Sequence, residues 1–230
     1  MNQTNPEELA GYIDHTLINA NATSEQIKKL CAEAVDCGFC CVSVNPRWVS
    51  LAADELDETN VNVGSVISLP LGADSTKVKA AAAEDAIFNG ADEIDMVADL
   101  AAIIEQDERY LSRELKTVLK ICRSMRPPVL LKVIIEAAAL NQEQKIFACR
   151  TLNECDVDFV KTSTGMHPAG GATVEDVKLM REYAPDCRIK AAGGIRTYQQ
   201  MIQFIEAGAQ RIGTSAGVQI INQLRQEQAK

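Results

Sequence analysis

Short β-branched runs alternate with longer segments of helical period from one end of this chain to the other, and no other feature constrains its fold as much. The runs fall at residues 12–16, 40–44, 63–68, 93–97, 129–135, 158–162, 188–191 and 211–213. Apolar residues at helical spacing fill 24–36, 46–56, 75–89, 107–125, 141–153, 173–183, 197–207 and 215–223. Such alternation builds a parallel sheet, because each helix carries the chain back to the end where the previous strand began. Eight strand–helix units in 230 residues predict an α/β fold, a single (β/α)8 TIM barrel over 1–230, at the compact end of its size range. A doubly wound open sheet is the alternative; the count of eight and the lack of an early GxGxxG favour the barrel. The stretch before Tyr12 is expected to form a short N-terminal helix capping the bottom.

Local signals set the helix ends. Ser24 reads as an N-cap, and Pro46 sits in a first turn, where its missing N–H costs nothing. Thr197-Tyr198-Gln199-Gln200 reads as a capping box, and Thr173 as another helix start. The segment 107–125 stops before Pro127-Pro128.

A net charge of −9 argues against nucleic acid or an anionic membrane as partner, although a local pocket on an acidic chain still accommodates a small anion. The N-terminus lacks a basic start followed by an apolar core, and no apolar run reaches the ~20 residues a spanning helix needs. The expected location is the cytoplasm. Eight cysteines in a chain of this kind read as reduced core thiols. Cys37-Gly38-Phe39-Cys40 has CxxC spacing but no second CxxC or nearby histidine, so packing is the better reading than redox or zinc chemistry. No HxxxH, HExxH or acidic cluster points to a metal, and no cofactor is expected. His15 and His167, the two histidines, lack a Ser or Cys partner and read as non-catalytic.

The chemistry concentrates on lysines at strand ends. Lys161 closes one run and leads into Thr162-Ser163-Thr164-Gly165; Lys190 closes the next and leads into Ala191-Ala192-Gly193-Gly194. Side chains alternate along a strand, so Glu93, Asp95 and Val97 share a face, as do Lys132 and Glu136, Phe159 and Lys161, and Arg188 and Lys190. With those faces inward, adjacent strands deliver Asp95, Lys132, Lys161 and Lys190 into one interior. Burying so many charges is costly unless they pair, which makes a purely structural role a strained reading. A desolvated amine beside a second cation has a depressed pKa and becomes a nucleophile near neutral pH, the chemistry of Schiff-base catalysis. Gly193-Gly194 after the seventh strand and Gly213-Thr214-Ser215 after the eighth stand where barrels commonly bind phosphate, and Gly171, in the loop after Lys161, is placed to touch the same group.

Taken together, Ile13-Asp14-His15-Thr16-Leu17, Val44-Asn45-Pro46, Gly90 to Val97, Leu131 to Glu136, Phe159 to Gly165, Lys190 to Arg196 and Arg211 to Ser215 resemble the deoxyribose-phosphate aldolases, a class I family. The likeness spans almost the whole chain, and Lys-Thr-Ser-Thr-Gly with Lys-Ala-Ala-Gly-Gly-Ile-Arg is highly specific. It implies reversible cleavage of 2-deoxy-D-ribose 5-phosphate into D-glyceraldehyde 3-phosphate and acetaldehyde, in deoxynucleoside breakdown, by a monomer or homodimer needing no cofactor. It also implies roles: Lys161 forms the Schiff base; Lys190 holds its pKa down and takes part in proton transfer; Asp95 works with water as acid and base. Asp14 pairs with Lys190, Thr16 lines the same end, and Lys132 is a charged support. Gly171, Gly193, Gly194 and Ser215 bind the substrate phosphate. The alternatives are another Schiff-base aldolase with a different donor, or a catalytically weak sugar-phosphate-binding barrel.

The chain departs from the family pattern at Ser43, where many members carry cysteine, and at Ser68-Leu69-Pro70, Ala98 to Ala102, Ala137-Ala138 and Met166-His167-Pro168. None of these removes a proposed catalytic residue. A serine at position 43 is expected to lessen covalent inactivation by aldehydes.

Overall fold

Eight parallel strands close into a barrel in chain order, the eighth pairing with the first, in a computed structural model that describes residues 5–228. The strands are β1 (Ile13–Leu17), β2 (Cys41–Val44), β3 (Asn62–Ile67), β4 (Glu93–Val97), β5 (Leu130–Ile134), β6 (Phe159–Lys161), β7 (Arg188–Ala192) and β8 (Arg211–Thr214). The helices are α1 (Pro6–Ala10), α2 (Ser24–Cys37), α3 (Val49–Glu55), α4 (Thr76–Phe88), α5 (Leu100–Glu105), α6 (Glu108–Ser124), α7 (Gln142–Glu154), α8 (Val174–Tyr183), α9 (Tyr198–Glu206) and α10 (Gly217–Gln228). The short N-terminal helix is α1; it buries Leu9 and Ala10 just before β1 begins. No helix among the described residues is long and apolar enough to cross a membrane.

The strands are buried on both faces, as a sheet wrapped by helices requires. β4 illustrates the consequence. Glu93 and Asp95 alternate with Ile94 and Met96, all fully buried. Ile94 and Met96 join the apolar layer under the helices, and the carboxylates turn to the barrel axis. α6 supplies the opposing surface with Leu111, Leu115, Val118, Leu119 and Cys122 at helical spacing.

Several boundaries differ from the sequence reading, each for a local reason. The N-cap of α2 is Thr23, not Ser24: Thr23 accepts from the Gln26 amide while the Gln26 side chain returns to the Thr23 amide. Residues 46–56 divide into a 3₁₀ turn at Pro46–Trp48 and the helix α3. Two further short elements complete the fold. α5 is a single short helix capped by Asp99, whose Oδ1 accepts from the Ala102 amide. Ala137–Ala139 form a 3₁₀ turn after β5. Both are too short to show a period. The last helix begins at Gly217 and runs to Gln228. All eight cysteines are free thiols, Cys37 and Cys40 included.

Candidate active site

Backbone register brings the charged residues to one level. Asp95 on β4 pairs with Lys132 on β5, and Lys161 on β6 with Lys190 on β7. Asp14 on β1 stands beside Gly213 on β8. Gly213 leaves room for its neighbour, since a Cβ there would come within 3.1 Å of Lys190 Cε.

A connected ion-pair network results. Lys161 Nζ and Lys190 Nζ both donate to Asp95 Oδ2 at 2.6 Å. Lys190 also reaches Asp14 Oδ2 at 2.5 Å. Lys132 donates to Asp95 Oδ1 at 2.9 Å and to Asp14 Oδ2 at 3.3 Å, and forms an ion pair with Glu93. Below them Arg211 donates from Nε to Asp14 at 2.5 Å and from Nη2 to Glu93 at 2.8 Å. The barrel floor is the Phe159 ring, with the Arg188 guanidinium 4.1 Å from its centroid.

The network treats its members differently. Burial opposes charge on Lys132, but Asp14, Asp95 and Glu93 outweigh it and hold the amine well above the usual lysine range. Lys161 goes the other way. Burial comes first, the attraction of Asp95 opposes it, and the neighbouring charges of Lys190 and Lys132 add to the fall, leaving a pKa of about 8. Asp95 and Asp14 resist burial because surrounding cations hold both well ionised, below the usual carboxylate range.

Lys161 is the member that lines the cavity at the strand ends. It is 4% exposed and Arg211 6%, whereas Lys132, Lys190, Asp14 and Asp95 are fully buried. A cavity of about 290 Å³ at the carboxyl ends of the strands is lined by Thr16, Asn19, Lys161, Thr164, Gly193, Gly194, Arg196 and Ser215, among others. Gly193 (φ +100°) and Gly194 (φ +82°) turn the chain at its rim in the left-handed region that favours glycine. Gly171 does not line the cavity. It backs Gly193 so closely that a Cβ on Gly171 would collide with the Gly193 carbonyl. Lys132, expected as a charged support near the substrate, lies sealed beneath the site among three carboxylates. A larger cleft of about 770 Å³ shares Arg196 and Ser215 but lies outside the barrel, against His15, Glu33 and α10.

Other groups fall away from the chemistry. His15 Nε2 meets Glu33 at 2.9 Å, and His167 Nδ1 accepts from the Ala169 amide in an exposed loop. Asp14, Cys41 and Glu93 bring ligand-type atoms within 4.8 Å of one another, but Lys132 and Arg211 already neutralise both carboxylates. Sequence reasoning missed Arg211 and Glu93 as members of the network, and Glu136, which packs beside Lys161's loop. For Arg211 and Glu93 the sign lay in the sequence: a charge in phase with apolar strand residues, the pattern that singled out Asp95 and the lysines.

The comparisons with known proteins agree with this geometry. The family described as DeoC/LacD family aldolase matches residues 9–223. The deoxyribose-phosphate aldolase of Thermococcus kodakarensis is 50% identical over 220 residues, covering 94% of this chain and 97% of its own. That of Caldicellulosiruptor saccharolyticus is 45% identical over 218 residues, covering 94% and 98%. The deoxyribose phosphate aldolase of Aeropyrum pernix, described as a tetramer, superposes with a TM-score of 0.89 at 30% identity, over 96% of this chain and 92% of the other. A closed barrel of eight parallel strands, a buried cluster of lysines and carboxylates at its mouth, and matches along nearly its whole length make this chain a member of the DeoC/LacD family of aldolases.

Proposed function

We propose that this chain reversibly cleaves 2-deoxy-D-ribose 5-phosphate to D-glyceraldehyde 3-phosphate and acetaldehyde through a Schiff base on Lys161. One observation carries the reading. Of the buried lysines, Lys161 alone lines the cavity, and its pKa is brought down to about 8. An amine with that pKa is part neutral at physiological pH and free to attack a carbonyl. The names of the relatives supply the substrate.

The steps follow from the residues present. The neutral Lys161 amine adds to C1 of the open-chain aldehyde, and loss of water leaves a protonated imine. That imine accepts the electron pair of the C2–C3 bond as the C3 hydroxyl loses its proton, so glyceraldehyde 3-phosphate departs and an enamine remains. Protonation at C2 and hydrolysis release acetaldehyde and restore the amine. Asp95, 2.6 Å from both lysines, is positioned to pass protons through an ordered water, and Lys190, paired with Asp14, to supply them. Gly193, Gly194 and Ser215 at the rim offer the phosphate a cradle away from the reacting carbon, and Gly171 supports it from behind. Binding energy gained there orients C1 on the amine.

Borohydride trapping with acetaldehyde, read by peptide mapping, tests the assignment. The expected result is an adduct on Lys161, and loss of cleavage by at least about 10⁴-fold in Lys161→Ala. An adduct on another lysine, or none in folded protein, would sink it.

A further inference from the structure

We infer that Glu136 is a positioning residue that sets the phosphate cradle at its working distance from Lys161, through a strap to Thr164. The inference rests on the Schiff-base and cradle reading above. Its starting point is a buried carboxylate the mechanism does not use. Glu136 is 1% exposed, and the contacts of its carboxylate run to one residue. The Thr164 amide approaches its two oxygens at 3.2 and 3.3 Å, and the Thr164 hydroxyl donates to Oε2 at 2.5 Å. Glu136 reaches that position from a backbone at φ +51°, ψ +54°, left-handed geometry that a residue with a Cβ adopts only under local constraint.

The strap has two sides. On the β5 side, backbone bonds run from the Ile135 amide to the Lys161 carbonyl and from the Ala137 amide to the Thr162 carbonyl. On the β7 side, the Thr162 and Ser163 hydroxyls both donate to the Ala192 carbonyl, and the Ala192 amide donates back to Thr162. The loop after Lys161 is thus clamped between its two neighbours. Its far end backs the cradle. Gly193 lies against it, so that a Cβ there would come within 3.4 Å of Gly165 Cα and collide with Ser163 Oγ, and the Ser163 hydroxyl holds the Ala192 carbonyl in the peptide that leads into Gly193. Thr164 Oγ1 also accepts from the Met166 amide at 3.0 Å, extending the chain of bonds to the cavity rim. Lys161 is anchored separately, by the strand ladder and Asp95. Loosening the strap therefore displaces the cradle relative to the amine and leaves the amine in place.

The test compares deoxyribose 5-phosphate with unphosphorylated deoxyribose in Glu136→Ala, Glu136→Asn and Glu136→Gln. Asparagine tolerates the left-handed backbone but is too short to reach Thr164; glutamine keeps an acceptor at full length. In the alanine and asparagine variants the preference for the phosphorylated substrate, as a ratio of kcat/KM, is expected to fall about tenfold, mostly in KM. Cleavage of unphosphorylated deoxyribose and acetaldehyde trapping on Lys161 are expected to change less than about threefold, and glutamine to restore most of the preference. If both short variants fail to fold, Glu136→Asp, which keeps the charge but is too short to reach Thr164, makes the same comparison. A preference unchanged in folded variants, or a parallel loss on both substrates, would overturn the inference and leave a structural role. If the wild-type chain traps no acetaldehyde on Lys161, only the amine assignment fails. Inorganic phosphate titrated calorimetrically into wild type and Glu136→Asn then decides the strap: about tenfold weaker binding supports it and equal binding overturns it.

Discussion

Two sets of buried charges in this molecule look alike in burial and differ in balance. Between α4 and α6, Lys79 and Glu114 are both fully buried and 2.7 Å apart. Lys79 also donates to the Val97 carbonyl at 2.9 Å, and Glu114 accepts from the Asp99 amide at 3.1 Å. One cation meets one anion, and the pair pins the end of β4. Inside the barrel, Lys132, Lys161, Lys190 and Arg211 face Asp14, Glu93 and Asp95, four cations against three carboxylates. Someone must be short of a partner, and it is the cation at the cavity. Lys132 and Arg211 are held charged, with pKa values driven up, while the pKa of Lys161 falls. A matched buried pair is scaffold. A mismatched network stores its cost on one member, and that member becomes reactive.

The contrast predicts effects of opposite sign. The largest is at the matched pair. Lys79→Met leaves the Glu114 carboxylate buried alone and is expected to cost about 3–5 kcal/mol in urea unfolding. Lys79→Met with Glu114→Leu should recover much of it. A cost below ~1 kcal/mol for the single change would remove the distinction between the two sets.

Removing the surplus cation should do the reverse. The folded pKa of Lys161, about 8, lies below the ordinary 10.5, so between these values the unfolded chain binds more protons than the folded one. Wild-type stability should therefore rise as pH climbs from about 8 to 10.5. Below pH 8 the charged amine costs about 3 kcal/mol, and Lys161→Met is expected to be more stable than wild type at pH 7 by up to that amount while losing cleavage. Equal or lower stability of the variant at pH 7 would contradict the idea of a stored cost.

The smallest effect sharpens the source of the shift. Lys190→Met takes away one neighbouring charge but leaves the burial, which is the larger cause. The rising limb of kcat/KM against pH, set by free Lys161 amine, is expected to move upward by about one pH unit, whatever happens to the maximum rate. An unmoved limb would remove Lys190 from the causes of the depression, leaving burial and Lys132.

Much of this was legible in the chain. The strand–helix alternation announced the barrel because parallel strands need helical crossovers, and both leave periods in the sequence. Asp95, Lys132, Lys161 and Lys190 stood out because a charge in phase with apolar strand residues is costly without a partner. Arg211 carried the same sign at the start of β8 and was passed over, because a residue at a strand's first position reads equally well as a solvent-facing end. The short helix α5 and the 3₁₀ turn at Ala137–Ala139 left no period to read. Glu136 shared a face with Lys132, but nothing local marks a residue whose left-handed backbone aims its carboxylate at a neighbouring strand's loop.

Spacing along the chain was enough to give the strands, their order and the residue types that would have to share one interior. Which lysine is short of a partner emerges only in the closed barrel. Lys132, Lys161 and Lys190 are alike as residues, and each sits in phase on its strand. Register and burial then give Lys132 three carboxylates, give Lys190 two, and leave Lys161 one shared oxygen and an open cavity. Coulombic interactions depend on distances through space, and those distances exist only once the barrel has closed.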